Sequence, residues 1–206
     1  IQNKALELSL FLSLPASIAL LIAPDEIISA LFGYGQFDEN SVSNSAQALY
    51  YFSFGLPAFA MIKVFSNFFF ANHDTKTPFY ISLISVLLNV LISIYYFSLI
   101  GFIIIPIATT ISSWFNLIIL FLVLKKRRLF NFNKVFIHQF FKILLSTILM
   151  GLFFSYLITL FNYQLSFENS LKSIYLILSV FLGLIFYLLI TYLIKAFKLE
   201  DIKLKY

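Results

Sequence analysis

The feature that most constrains the fold is a series of six apolar runs, each long enough to cross a bilayer. A membrane-spanning helix needs about 20 predominantly apolar residues. The predicted spans are approximately 7–31, 46–70, 78–99, 102–124, 136–161 and 172–196. Hydrophobic residues make up 61% of the 206 positions, and the mean hydropathy of +0.96 lies far above that of soluble domains. Because the runs are long rather than short and alternating, they favour helices over barrel strands. We predict an all-α integral membrane protein with six transmembrane helices.

Lysine and arginine residues are divided unevenly between the two sets of helix ends. The ends at 24–45, 99–101 and 162–172 carry Lys172 alone. The opposite ends carry Lys4, Lys76, Lys125, Lys126, Arg127, Arg128, Lys134, Lys195, Lys198, Lys203 and Lys205. Short basic loops stay on the cytoplasmic side of a membrane. We therefore predict that both ends of the chain, the HDTK turn and the KKRR loop are cytoplasmic.

The first residues, IQNKALELSL, contain neither a Met nor the pattern of a signal peptide, so we expect the chain to be the back part of a longer protein. We divide it into residues 1–134, with four spans, and residues 135–206, with the final helix pair and a short cytoplasmic tail. The KKRR loop and the tail KLEDIKLKY are expected to contact anionic membrane lipids. They do not indicate binding of nucleic acid.

The sequence offers no catalytic signature. It contains no HExxH, GxSxG or Walker motif and no cysteine. Its histidines, His73 and His138, lie at predicted helix ends and have no ligand partner four residues on. We predict that the protein is not an enzyme and needs no cofactor. A sodium ion is the one candidate for a bound cofactor.

Lys63 lies inside the second apolar run, about 10 Å from its cytoplasmic end at 1.5 Å per residue. One interpretation is a lysine whose long stem lets the ammonium group reach the interface. The other is a cation that lines a water-filled cavity and meets an anionic substrate. Periodicity does not decide between them.

Polar residues form two stripes at helical spacing on the third and fourth spans. Asn89 and Ser93 lie on the first stripe and Thr109 on the second, which predicts that the two helices share a seam. Such seams commonly serve helix packing through hydrogen bonds. The alternative is a sodium site at Asn89, Ser93 and Thr109, where Pro106 would free the carbonyl of Phe102 as a further ligand. No carboxylate stands in the seam.

Three segments carry a specific combination of motifs: SLFLSLPASIALLI at 9–22, LFGYGQFD at 31–38 and ALYYFSFGLPAFAMIKVFSNFFFANHDTKTP at 48–78. Together they resemble the MurJ/MviN family of lipid II flippases. Their order and spacing match, including the GLP that opens the second span, the K-V pair and the D-T-K-T-P turn. The family commonly has a basic residue before the glycine of the LF-x-x-G-x-F turn, where this chain has Tyr34.

The resemblance implies a fourteen-helix transporter of the multidrug/oligosaccharidyl-lipid/polysaccharide (MOP) exporter superfamily, of which this chain is the final six helices. It implies transport of lipid II across the bacterial inner membrane by alternating access between two lobes, with the N-terminal lobe of the same protein as a partner. The last two helices would form a groove for the polyprenyl tail.

The resemblance also suggests roles for individual residues. Lys63 would face the cavity and neutralise a pyrophosphate, while Asp74, Lys76 and Thr77 would lie at the cytoplasmic gate. Thr77 is also placed to cap the next helix, with Pro78 at its first position.

Two other functions remain open. An exporter of another lipid-linked oligosaccharide, of the O-antigen or teichoic type, would share the fold but would not be expected to carry the GLP to DTKTP run. A scaffold without transport activity would use the polar seams for packing alone.

Overall fold

The computed structural model describes residues 2–196, and these form helices joined by short connections without any strand. The helices are α1 Gln2–Ile22, α2 Pro24–Phe32, α3 Glu39–Ala71, α4 Lys76–Ile100, α5 Ile104–Lys126, α6 Lys134–Leu160, α7 Asn162–Leu165 and α8 Lys172–Leu193. A 3-10 turn at Gly101–Ile103 joins α4 to α5. The predicted tail KLEDIKLKY, with Lys198, Lys203 and Lys205, lies outside the described residues.

Five helical stretches of the described chain are long and apolar enough to cross a membrane, and one of them is a hairpin. That stretch, Lys76–Lys126, has 51 residues, which as a straight helix would measure about 77 Å. Instead the chain reverses at Gly101, where φ is 72°, and the side chains of α4 and α5 form hydrogen bonds with each other. The stretch therefore makes two passes, and the predicted all-α fold with six spans is confirmed.

Two helix starts differ from the predicted boundaries. The span predicted at 7–31 breaks at Ala23, whose φ of −132° and ψ of 51° are not helical, and Pro24 then opens α2. Proline suits a first helical position because its missing N–H would have no partner there. Helix α3 begins at Glu39, well before residue 46, because a carboxylate oxygen of Asp38 accepts the backbone N–H of Ser41 at 2.9 Å.

The described chain divides into two compact units. The first contains the residues up to 13 together with 47–133, and the second contains 14–46 together with the described residues from 134 onward. These units are defined by packing within this chain. They do not test the predicted division into residues 1–134 and residues 135–206, which stays a prediction.

In the first unit, phenylalanines pack at the basic end of α3 and α5. The cluster consists of Phe65, Phe68, Phe121, Phe130 and Phe132, with ring centroids 4.9–6.4 Å apart. Farther along, side chains of α5 donate to carbonyls of α3. Thr110 donates to Tyr51 at 2.7 Å and Trp114 donates to Phe54 at 3.0 Å. These contacts hold the two helices together.

In the second unit, small residues allow close helix packing. A side chain at Gly151 would meet the Cγ2 atom of Ile18 at 2.7 Å, and one at Gly183 would meet the ring of Phe154 at 3.4 Å. Large apolar side chains on the other faces of α6 and α8, such as Leu152 and Ile177, are exposed. This distribution is expected of helices that face lipid.

Candidate functional site

Lys63 lies on a face of α3 that the described chain leaves open. Its side chain is exposed and forms no hydrogen bond or ion pair with any residue from 2 to 196. Phe59 and Asn67, one turn away on either side, are exposed as well. The role of Lys63 in substrate binding stays a prediction, and the structure leaves its ammonium group free for a partner.

The turn between α3 and α4 is built around the carboxylate of Asp74. Its Oδ1 accepts the backbone N–H of Thr77 at 3.0 Å, and its Oδ2 accepts the hydroxyl of Thr77 at 2.6 Å. Oδ2 also forms an ion pair with Arg127 at the end of α5. The guanidinium of Arg127 donates to the Thr77 hydroxyl at 3.0 Å and lies 5.8 Å from the ring centroid of Phe69. We call Phe69, Asp74, Thr77 and Arg127 the Asp74 cluster.

The Asp74 cluster strongly favours the ionised carboxylate. The hydroxyl and then the backbone N–H of Thr77, followed by Arg127, lower the pKa of Asp74 from 3.8 to about 2. Asp74 is therefore ionised throughout the physiological pH range. Because the cluster joins the α3–α4 turn to the end of α5, it fixes two connections at one end of the first unit.

The prediction that Thr77 caps α4 is wrong. The helix begins at Lys76, no side chain at its N-cap position forms a capping bond, and Thr77 lies inside the first turn. Asp74 instead accepts the free N–H group there, because a carboxylate accepts a hydrogen bond more strongly than a hydroxyl does. Lys76 is exposed and forms no ion pair with a described residue.

The polar stripes of α4 and α5 meet, as their spacing predicts. The side-chain nitrogen of Asn89 donates to the hydroxyl of Thr109 at 3.0 Å and to that of Ser112 at 3.4 Å. Thr109 donates in turn to the carbonyl of Ile105 at 2.8 Å. The Oγ atom of Ser93 is buried without a partner among the described residues. The structure thus joins Asn89 to Thr109 and leaves Ser93 outside their hydrogen bonds.

These residues do not fit a sodium ion well. A cation needs oxygen atoms directed at it, whereas Asn89 turns its amide nitrogen, a donor, towards the two hydroxyls. Neither α4 nor α5 contains an acidic residue. The seam has the hydrogen bonds expected of helix packing.

The structure shows a second unusual lysine that the sequence did not mark as a site. Lys172, at the start of α8, is 2% exposed. Its ammonium group donates to the carbonyls of Gly33 and Phe167, both at 2.7 Å. It also lies 4.6 Å and 4.4 Å from the ring centroids of Tyr34 and Phe167. The family commonly has a basic residue in the turn that contains Gly33 and Tyr34. Here the ammonium group of Lys172 contacts that turn instead. The sequence did carry one signal: Lys172 is the lone basic residue at the helix ends opposite the basic ones.

Arg127 is the other residue that sequence reasoning missed, because it was one of four basic residues in a row. Helical spacing could not tell which of the four returns to the α3–α4 turn. The ion pair with Asp74 identifies Arg127 as that residue.

Comparison with known proteins gives a consistent result. The family model for the lipid II flippase MurJ matches residues 1–176. The probable lipid II flippase MurJ of Thermotoga maritima is 33% identical over 194 residues, which cover 94% of this chain and 37% of that protein. The corresponding protein of Rickettsia prowazekii is 36% identical over 121 residues, or 59% of this chain and 24% of that protein.

A solved structure of the lipid II flippase MurJ in an inward closed conformation is similar to the present one, with a TM-score of 0.75 and 25% sequence identity. The match covers 92% of this chain and 37% of the solved chain. The chain thus spans between 24% and 37% of the length of these relatives. Since the family model covers most of the sequence, this multi-pass membrane protein belongs to the MurJ family of lipid II flippases.

Proposed function

We propose that this chain supplies the final six of fourteen helices of a flippase that moves lipid II across the bacterial inner membrane. The observation that carries the proposal is the agreement of the family model over residues 1–176 with a structural match over 92% of the chain. The matched proteins are named for lipid II, whose polyprenyl pyrophosphate joins a very apolar tail to a polar head. Helices with exposed apolar faces, such as α6 and α8, suit the tail of such a substrate.

The proposal includes the orientation and the N-terminal lobe. The basic ends of the helices, with the Asp74 cluster and the KKRR loop, lie in the cytoplasm, as the distribution of lysine and arginine favours. The first eight helices of the fourteen form the other part of the transporter, and the two lobes open alternately to either side of the membrane.

Lys63 neutralises part of the pyrophosphate charge during transport. The support is its position about two turns inside the cytoplasmic end of α3, together with an exposed ammonium group that has no partner among the described residues. An exposed ammonium group attracts an anion most strongly where little water separates the two charges.

Asp74, Lys76 and Thr77 act at the cytoplasmic gate. The ion pair between Asp74 and Arg127 joins two connections in the present conformation, and an opening that separates them would break it. Lys76 is exposed in the same turn and is free to pair with an acidic partner when the gate moves. The tail of the substrate lies along α6 and α8, whose exposed faces carry leucine, isoleucine and phenylalanine.

Coupling of transport to sodium through Asn89, Ser93 and Thr109 stays a prediction. The hydrogen bonds of Asn89 in this structure favour packing, and the mechanism above does not require a bound cation.

Complementation tests the proposed function. The full-length gene that encodes this chain is expressed in a strain depleted of its lipid II flippase, and growth, cell shape and outward exposure of lipid II are measured. Restoration of all three is the expected result. Rescue of an O-antigen exporter mutant instead would indicate the related exporter, and failure in both strains with normal membrane insertion would favour a scaffold.

A further inference from the structure

Helix α3 has weakened backbone hydrogen bonding in the middle of its span. Gly55 and Pro57 are both buried there, and glycine is a poor helix former. Proline has no N–H group for the carbonyl four residues earlier, which belongs to Ser53, and its ring crowds that carbonyl. The hydroxyl of Ser53 donates to the carbonyl of Leu49 at 2.6 Å, and bonds of this kind often bend a helix. Three features of residues 49–57 therefore favour a bend in α3.

Two side chains of α5 donate to backbone carbonyls in the same stretch of α3. The hydroxyl of Thr110 donates to the carbonyl of Tyr51 at 2.7 Å, and the indole N–H of Trp114 donates to that of Phe54 at 3.0 Å. In a regular helix such carbonyls accept only the N–H groups four residues farther on. Membrane helices tolerate proline where a neighbouring helix satisfies the backbone groups that the proline disturbs. Thr110 and Trp114 are placed to do this for α3.

The depth of Trp114 in the membrane is unusual. It is the one tryptophan of the chain and lies ten residues from the start of α5 and twelve from its end. Ten residues correspond to about 15 Å of helix, whereas tryptophan is enriched at the membrane interfaces. An indole N–H inside a bilayer needs an acceptor, because an unsatisfied polar group is costly there. The bond to the Phe54 carbonyl therefore accounts for the indole at this depth.

Gly55 allows α5 to approach α3 closely. A Cβ atom at this position would lie 3.0 Å from the hydroxyl oxygen of Thr110 and 3.0 Å from a ring atom of Phe59. Both distances are shorter than an ordinary van der Waals contact, so a side chain here would force a neighbour to shift. The same glycine thus weakens α3 and admits the donor that binds it.

Helix α5 also contacts α3 beyond the proline. The ring of Phe121 stacks on that of Phe65, with ring centroids 6.1 Å apart and an interplanar angle of 25°. Thr110 and Trp114 bind α3 before Pro57, and Phe121 contacts it afterwards. Because one helix holds both halves of α3, α5 sets the angle between them.

We propose that residues 55–57 are a hinge of α3, and that Thr110 and Trp114 are positioning residues that hold the hinge at its present angle. Lys63 follows Pro57 by six residues, or about 9 Å along the helix. A change of about 20°, the size of a sharp helix kink, would move Lys63 by about 3 Å relative to the first half of α3. The hinge follows from these contacts alone, whereas its effect on transport rests on the proposed function of Lys63.

The distance between two spin labels tests the hinge in the complete protein in lipid nanodiscs. The labels are attached through Gln47→Cys, before the hinge, and Ile118→Cys on α5, and both native residues are exposed. This chain has no cysteine of its own, and any in the rest of the protein are first replaced by serine. Thr110→Val with Trp114→Phe removes both donors and keeps similar side-chain volumes. We expect the distance distribution to become at least twice as wide, because the first half of α3 loses its bonds to α5.

Ser113→Ala is the matched control for the double variant. The hydroxyl of Ser113 donates to the carbonyl of Thr109 within α5 at 2.6 Å, so its loss should leave the distribution unchanged. Adding Pro57→Ala to the double variant restores an N–H group to α3 and should narrow the distribution again, which a general loosening of the two helices would not allow. If the double variant does not insert, Thr110→Val alone should widen the distribution. An unchanged width on loss of the donors, or no narrowing with Pro57→Ala, would overturn the hinge.

Lipid II translocation tests the consequence for Lys63. The double variant should translocate lipid II at least threefold more slowly than the wild type, and Ser113→Ala should translocate it at the wild-type rate. An unchanged rate together with a widened distribution would contradict the positioning role of Thr110 and Trp114. The spin-label measurement does not require transport. Failure of the wild type to translocate lipid II would therefore count against the proposed function and leave the test of the hinge decisive.

Discussion

Two lysines of this protein show how differently one residue type is used in two regions. Lys63 lies within a long apolar helix and is exposed, with no partner among the described residues. Lys172 lies at the start of a helix and is 2% exposed, with two carbonyls and two aromatic rings around its ammonium group. The difference teaches that the depth of a lysine in a hydropathy profile does not determine its burial. The satisfied hydrogen bonds of Lys172 indicate a role in stability, whereas the proposed role of Lys63 in binding requires the free ammonium group that it has.

Substitution of Lys172 should produce the largest loss of stability. Lys172→Met leaves the carbonyls of Gly33 and Phe167 without their donor, and each unsatisfied buried group costs about 1–3 kcal/mol. We expect the thermal unfolding midpoint in nanodiscs to fall by several degrees. Lys63→Met is the matched control and should unfold at the wild-type temperature. Equal midpoints for the two variants would remove the distinction between these lysines.

A substitution at Gly33 tests the same buried site without changing its charge. A Cβ atom there would lie 2.6 Å from the carbonyl oxygen of Ser29 and 3.1 Å from the ammonium nitrogen of Lys172. Gly33→Ala should therefore lower the free energy of unfolding by about 1–3 kcal/mol, the usual cost of overpacking. Gly35→Ala, where nothing lies within 4 Å but φ is 61°, is the control for backbone strain. A smaller loss at Gly33 than at Gly35 would contradict the close packing around Lys172.

Asp74 is intermediate between the two lysines, since it is charged and accessible but has partners. Because its folded pKa of about 2 lies below its ordinary value of 3.8, the stabilisation is present above pH 3.8 and is lost as the pH falls through about 2. In Asp74→Asn this part of the pH dependence should disappear. Thermal unfolding of both proteins between pH 2 and pH 5 measures the effect. Parallel curves would show that the Thr77 and Arg127 contacts do not favour the ionised carboxylate.

The neutral seam between α4 and α5 should give the smallest effect. Asn89→Ala removes two interhelical hydrogen bonds, each expected to contribute about 0.6 kcal/mol inside a membrane. Replacing sodium with potassium should leave the unfolding midpoint of the wild type unchanged. A sodium-specific stabilisation that Asn89→Ala abolishes would instead support the predicted ion site.

Parts of the molecule governed by local periodicity could be predicted from the sequence. Runs of apolar residues identified the six spans, and helical spacing placed Asn89 opposite Thr109. The break at Ala23 was missed because a hydropathy profile averages over a local change in backbone angles. Capping of α4 was assigned to the Thr77 hydroxyl, whereas the carboxylate of Asp74, one residue before the N-cap position, accepts the backbone N–H of Thr77. Both residue types accept such bonds and the two lie three residues apart.

Contacts between distant positions could not be predicted. The carbonyl of Gly33 is 139 residues from Lys172, and Asp74 is 53 residues from Arg127. Neither pairing has a signature in the local pattern, because each results from the packing of helices within its unit.

Lipid II translocation by the Lys63→Met variant tests the central claim most directly. The variant and the wild type, each as the complete protein, are expressed at equal levels in flippase-depleted cells, and lipid II exposed on the outer leaflet is measured. Normal folding with at least tenfold slower translocation is the predicted result, because the pyrophosphate loses a charge partner inside the membrane. Translocation at the wild-type rate would contradict a role for Lys63 in binding the substrate and would assign it to the interface instead.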